Sequence, residues 1–209
     1  ALDSYSRQTF LDNLLRGGFP INFGSEKQTT SHIFSRKHGD LERDYNDFVL
    51  EPTYYSQGNG NYRDVNQNRR SDLFFNPQVG EDNIRLFYNL IQADGYNPLV
   101  IEGRKFRLDS LEDKEAIKDY LSGGDQDRLL ERLISPFTPG DLALFIDIFD
   151  IELEMDLQDF LDLVIDRAEC WTEAKFGEGY WIDHWTYNLD LIENYLAVYP
   201  EKLDQLLYQ

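Results

Sequence analysis

Cysteine is almost missing from this chain. Its 209 residues include one, Cys170, so no internal disulfide framework can form. A lone thiol fits a reducing, cytoplasmic setting. Cationic side chains are scarce as well: 20 Lys and Arg stand against 39 Asp and Glu, a formal charge of −19. Nucleic acids and anionic membranes are both met through cationic surface, so neither is an expected partner. No apolar run reaches the about 18 residues that a membrane span needs. The three histidines, His32, His38 and His184, lie at unrelated spacings, so no zinc signature exists. A Gly-rich phosphate loop and a Gly-x-Ser-x-Gly elbow are also missing. No metal and no cofactor are therefore expected.

Aromatic residues are plentiful at 14%, within 41% apolar residues, which is enough for a real core and excludes a disordered composition. The acid is uneven. Residues 141–209 carry 17 acidic and 3 basic side chains. The chain enters a helical pattern soon after Ala1 and stops just past Leu206-Leu207-Tyr208. With no polar tail at either end, it is expected to be a piece of a longer polypeptide, with the rest of that polypeptide as a partner.

Apolar residues recurring at helical spacing predict helices over 6–15, 81–93, 111–121, 125–134, 138–149, 157–170, 185–198 and 200–208. Thr138-Pro139 reads as a cap with proline in the first turn. Residues 19–35 read as irregular, and 56–61 as a Gly/Asn loop. Leu99 to Leu108 reads as a small β-hairpin. The expected architecture is mainly α, one helical domain over 1–209 with a minor β element. Cys170 falls in the apolar part of a predicted helix and reads as a packing residue. Asp156, Asp159, Asp162 and Asp166 form one face of that helix, read as solvated rather than as a cation site. The mixed run from Arg36 to Asp44, with His38, reads as a surface ion-pair network, or as groups that meet an anion.

Two stretches hold the chemistry. Residues 177–185 place Glu178, Trp181, Asp183, His184 and Trp185 beside two glycines, on a loop leading into a helix. Aromatic faces next to a carboxyl suit a sugar: a ring to stack on and a proton donor for the glycosidic oxygen. The plainer reading makes Trp181 and Trp185 core anchors and Asp183 a helix cap. Residues 60–70 bring Arg63, Asp64, Gln67 and Asn68 together after a Gly/Asn loop. Arginine, carboxylate and amides make directed hydrogen bonds to neighbouring hydroxyls. They also serve as internal ion pairs and loop ties, and the residues alone leave both readings open.

Tyr62-Arg63-Asp64-x-x-Gln67 resembles the Tyr-Arg-Asp-x-x-Gln-Asp element of the cellobiose phosphorylase family of inverting glycoside phosphorylases. Trp181-x-Asp183 resembles the family's later Trp-x-Asp element, and Asp64 and Asp183 lie 119 residues apart, a separation similar to the family's. Tyr5 to Gly18 and Ser35 to Tyr45 resemble parts of large bacterial cellobiose phosphorylase-like proteins. The resemblance implies part of an (α/α)6 barrel and cleavage of a β-glucosidic bond with inversion. Asp183 would be the general acid and Trp181 would shape the sugar pocket. Arg63 and Asp64 would hold hydroxyls at the non-reducing subsite. The implied partners are an oligosaccharide and inorganic phosphate. Departures are Asn68 where the family has a second carboxylate, Tyr180 before the tryptophan and Ile182 after it. The family's phosphate-binding residues lie beyond Gln209.

Were water the nucleophile instead, a second carboxylate would be required, and Glu178 is the nearest in sequence. Trp185, with Trp181, would supply stacking and desolvation. The alternative to a cleaving enzyme is a non-catalytic carbohydrate-binding or structural helical segment.

Overall fold

The computed structural model describes residues 2–4, 6, 19–33, 53–55, 57, 60–177 and 182–208. Its middle is a strand, not a helix. β4 (Val100–Arg107) runs between β3 (Gly60–Asn61) and β7 (Glu169–Lys175) in an antiparallel sheet. The expected hairpin over 99–108 is therefore a single continuous strand. Gly103 makes no turn. It lies where the β4–β7 register shifts, and a Cβ there would sit 2.9 Å from Cβ and Oε1 of Gln57. That close approach lets Gln57 accept from Arg104 N at 2.8 Å and donate to Arg104 O at 3.0 Å.

Residues 19–33 are also not irregular. β1 (Phe19–Phe23) and β2 (Thr29–Ile33) pair as a hairpin, with Pro20 opposite His32. Gly24 turns the chain at φ 87°, a conformation that favours glycine. A third pair, β5 (Leu121–Gly123) with β6 (Glu152–Leu153), closes the strand set of the described residues.

The described helices are α1 (Tyr62–Arg69), α2 (Asp72–Phe75), α3 (Asp82–Asn89), α4 (Leu111–Lys118), α5 (Gln126–Leu133), α6 (Pro139–Ile148), α7 (Leu157–Arg167), α8 (Ile182–Val198) and α9 (Leu203–Tyr208). With three sheets among them the fold is mixed α/β, which overturns the mainly α, (α/α)6-type expectation. Expectations failed where strands carry helix-compatible residues. Helix 157–170 stops at Arg167, and Cys170 and Glu173 belong to β7. Cys170 is exposed rather than packed. Strand periodicity replaces helical periodicity at Glu169, so the residue stands on β7 rather than on a buried helical stripe, while burial around the thiol itself still pushes its pKa up. The helix expected over 6–15 lies, past Ser6, outside the described residues.

Thr138 forms the expected cap of α6. Its hydroxyl accepts from Asp141 N at 3.1 Å and the Asp141 carboxylate accepts from Thr138 N at 3.1 Å, a reciprocal capping box. α7 buries Phe160, Leu161, Val164 and Ile165. Its acidic face is not simply solvated. Asp166 accepts backbone N–H bonds from Ser25, Glu26 and Lys27 at 2.8–3.1 Å, and Asp162 accepts from Gly24 N at 2.8 Å. Two carboxylates thus hold the β1–β2 turn. Among the described residues, no cluster of His, Cys, Asp or Glu is suited to a metal ion, and no helix is long and apolar enough to cross a membrane.

Apolar packing falls into two clusters joined by β4. Phe106 packs with Leu129, Leu133, Leu142 and Phe160 from α5, α6 and α7. Ile101, on the same strand, packs with Tyr62, Phe87, Leu191 and Tyr195 from α1, α3 and α8. The second cluster positions the candidate site.

Candidate functional site

α1 begins where Asn61, in extended conformation, caps the helix. Its side-chain oxygen accepts from Arg63 N at 3.0 Å. Tyr62, Asp64, Val65, Asn66 and Arg69 are buried on this helix, so its inner face is largely polar. α8 is built the same way: its buried residues are His184, Asn188, Leu191 and Tyr195, a stripe at helical spacing with two polar members. Two polar faces pack at least cost where their groups satisfy each other, and this seam does so in part, with Asn66 Oδ1 and Asn188 Nδ2 unpaired among the described residues. Tyr62 Oη lies 3.1 Å from Asn188 Oδ1, and Asn66 Nδ2 donates to that same oxygen. Further along, Arg70 Nη1 meets Asp190 Oδ2 at 2.7 Å, and Asn194 Nδ2 donates to Arg70 O at 2.7 Å.

This packing brings together what the sequence separates. The ring of His184 stacks obliquely on Tyr62 at 5.0 Å. His184 feels the charges of Asp183, Arg63 and Asp64, so all three lie within electrostatic reach of one imidazole. Burial is the largest influence and lowers its pKa. Arg63 pushes the same way, while Asp183 and Asp64 oppose. The ring is therefore neutral near pH 7. Its Nδ1 is buried with no hydrogen-bond partner among the described residues.

Asp183 is not on a loop. It is half-buried in the first turn of α8, which starts at Ile182 rather than near residue 185. Trp185, two residues further along the same helix, has 37% of its surface exposed and is not anchored in the core. Arg63 Nε donates to Asp64 Oδ1 at 3.0 Å. That pair fixes both groups while leaving Arg63 half-buried and Asp64 nearly covered. Asn68 turns inward along its own helix and donates from Nδ2 to Asp64 O at 2.8 Å. Gln67 faces out, exposed. Glu178 and Trp181 lie outside the described residues, as do His38 and the basic run beside it.

Of the residues singled out from sequence, Arg63, Asp64 and Asp183 converge. Tyr62, Asn66, His184 and Asn188 make the convergence. Tyr62 and His184 belong to the two stretches already singled out from sequence; Asn66 and Asn188 carry no separate signal there, because apolar periodicity points to Leu189, which is 51% exposed, instead of to Asn188. For Asn188 the signal is spacing: His184, Asn188, Leu191 and Tyr195 recur at i, i+4, i+7 and i+11.

A guanidinium, two carboxylates and a neutral imidazole can orient a polyhydroxylated ring and move a proton to or from it. No protein-family model, curated protein or solved structure matches the chain.

Proposed function

We propose that the chain is a carbohydrate-active segment in which the α1–α8 junction holds a glucose-type sugar, and that Asp183 acts as general acid in cleaving a β-glucosidic bond. The observation that carries this reading is the Tyr62–His184 ring contact at 5.0 Å, which brings the first turn of α1, with Arg63 and Asp64, to the first turn of α8, with Asp183, 119 residues on from Asp64. Arg63 and Asp64 orient hydroxyls, and Trp185 offers a face to the ring. Asp183 gives its proton to the glycosidic oxygen while a nucleophile attacks the anomeric carbon from the opposite side. Inorganic phosphate as that nucleophile yields a sugar phosphate. Water would need a second carboxylate as base, the part given to Glu178. The resemblance to inverting glycoside phosphorylases supports this reading at the two elements that carry it and brings no barrel with it. The remainder of a longer polypeptide would supply the phosphate site.

Asp183→Asn tests the role. With short β-glucans and inorganic phosphate, release of sugar or sugar phosphate should vanish while circular dichroism stays unchanged. Unaltered turnover would remove Asp183 from the chemistry.

A second reading, a non-catalytic carbohydrate-binding segment, is favoured by one observation. Asp64 is already engaged by Arg63 at 3.0 Å, and its helix neighbour Asn68 is committed to the backbone, so these groups are set to hold rather than to react. Sugar binding by the wild-type chain that survives Asp183→Asn, with no product from either protein, would select this reading.

A further inference from the structure

A separate cleft lies where α6 ends and β6 begins. Its volume is about 670 Å3, within the range of ligand pockets and roomy enough for a few side chains. Ile146 and Ile151 form its floor and Tyr54, 53% exposed, one wall. Asp147, Asp150 and Glu152 line it as exposed carboxylates.

The charge here is uncompensated. Asp147, Asp150 and Glu152 make no side-chain hydrogen bond or ion pair among the described residues. The last turn of α6 contains no basic residue of its own. Arg128 is close by chain packing but places its guanidinium 3.8 Å from the centre of the Phe149 ring and does not line the cleft. An apolar floor favours an aliphatic group. A neutral sugar is the poorer match, because the lining offers carboxylate acceptors and no amide, Lys or Arg donor.

We propose that this cleft docks a short cationic, apolar peptide segment of a partner protein: an aliphatic side chain seated on Ile146 and Ile151, and flanking Lys or Arg side chains paired with Asp147, Asp150 and Glu152. The site is independent of the α1–α8 junction and of the sugar reading.

The test uses the 209-residue chain and a fluorescent peptide alternating lysine and leucine. Because the whole chain is acidic, the control matters as much as the variant. Asp147→Asn/Asp150→Asn/Glu152→Gln should weaken binding about tenfold and flatten its salt dependence. Glu115→Gln/Asp119→Asn/Glu131→Gln, which removes the same charge from exposed positions elsewhere, should leave it unchanged. A peptide alternating glutamate and leucine should not bind. Equal losses in the two triple variants would assign the affinity to net charge and overturn the proposal. So would no binding of the lysine peptide, or equal displacement of that peptide by free spermine, which would make the cleft a polyamine site. Ile146→Ser, leaving every charge in place, separates the apolar contribution: unchanged affinity would remove the peptide's aliphatic anchor and with it the proposed occupant.

Discussion

Tyr62 and Asn188, 126 residues apart in the chain, meet through the phenol oxygen and the side-chain amide at 3.1 Å, in the buried seam between α1 and α8. The same phenol lies 3.1 Å from Phe87 O, so one proton is shared between two acceptors and α1 is tied to α3 as well as to α8. Burial is the largest influence on the phenol and pushes its pKa up. It therefore stays neutral and remains a donor.

Removing that hydroxyl leaves Asn188 Oδ1 with the Asn66 amide as donor and takes one contact from Phe87 O. Tyr62→Phe should cost about 0.5–1.5 kcal/mol, read from the urea unfolding midpoint. A change within a few tenths of a kcal/mol, about the scatter of surface substitutions, would show that the contact contributes nothing.

His32 predicts a pH dependence. Its pKa falls from 6.5 to about 4, mainly through burial, with Arg69 adding to the fall and the Asp72 hydrogen bond opposing it. The neutral ring donates from Nε2 to Asp72 at 3.0 Å. Between pH 6.5 and about 4 the unfolded state binds the proton and the folded state does not, so stability rises with pH across that window. The full effect is on the order of 3 kcal/mol. His32→Gln should flatten the rise relative to wild type. Identical pH profiles would mean that the ring is not buried as described.

Asp166 acts in the opposite direction from burial. Partial burial alone would raise its pKa, but the N–H groups of Lys27, Ser25 and Glu26 outweigh that, helped by Arg167, and hold it below 3.8. Its grip on the β1–β2 turn is fully present above about pH 4 and is lost as pH falls through the depressed folded value. Amide exchange at Ser25, Glu26 and Lys27 should quicken in Asp166→Ala at neutral pH, and in wild type only on acidification. Protection that persists in the variant would place the turn's restraint elsewhere.

Gly140 stands in the first turn of α6, where a Cβ would run into the carbonyl oxygen of Tyr54 and come within 2.7 Å of Thr53 Oγ1. Helix propensity favours alanine there by about 1 kcal/mol. The collision should win, with Gly140→Ala destabilised by about 1–3 kcal/mol in thermal unfolding. A raised Tm would show that the 53–55 segment yields freely.

Local signals in the sequence were legible where one short stretch carries the whole cause. The Thr138–Asp141 cap of α6 is one, the helix over 126–133 another. The carboxylates of α7 were placed on one face correctly, but their task was not, since it depends on a turn about 140 residues away. The stretch 99–108 reads as a hairpin in sequence but is one strand, Val100–Arg107, and Gly103 within it makes no turn. The glycine's actual cause is the approach of Gln57, which no window around Gly103 contains.

Composition alone excluded a disulfide framework, and charge alone argued against nucleic acid, because those inferences rest on counts. Arg63, Asp64 and Asp183 stood out in the sequence by residue type and order. What tertiary structure decided was their meeting. It depends on Tyr62, Asn66, His184 and Asn188 finding each other across a buried seam, and on an antiparallel sheet rather than a ring of helices bringing α1 to α8. Buried polar complementarity is a property of pairs. A single chain position read by its own hydrophobicity carries no sign of its partner.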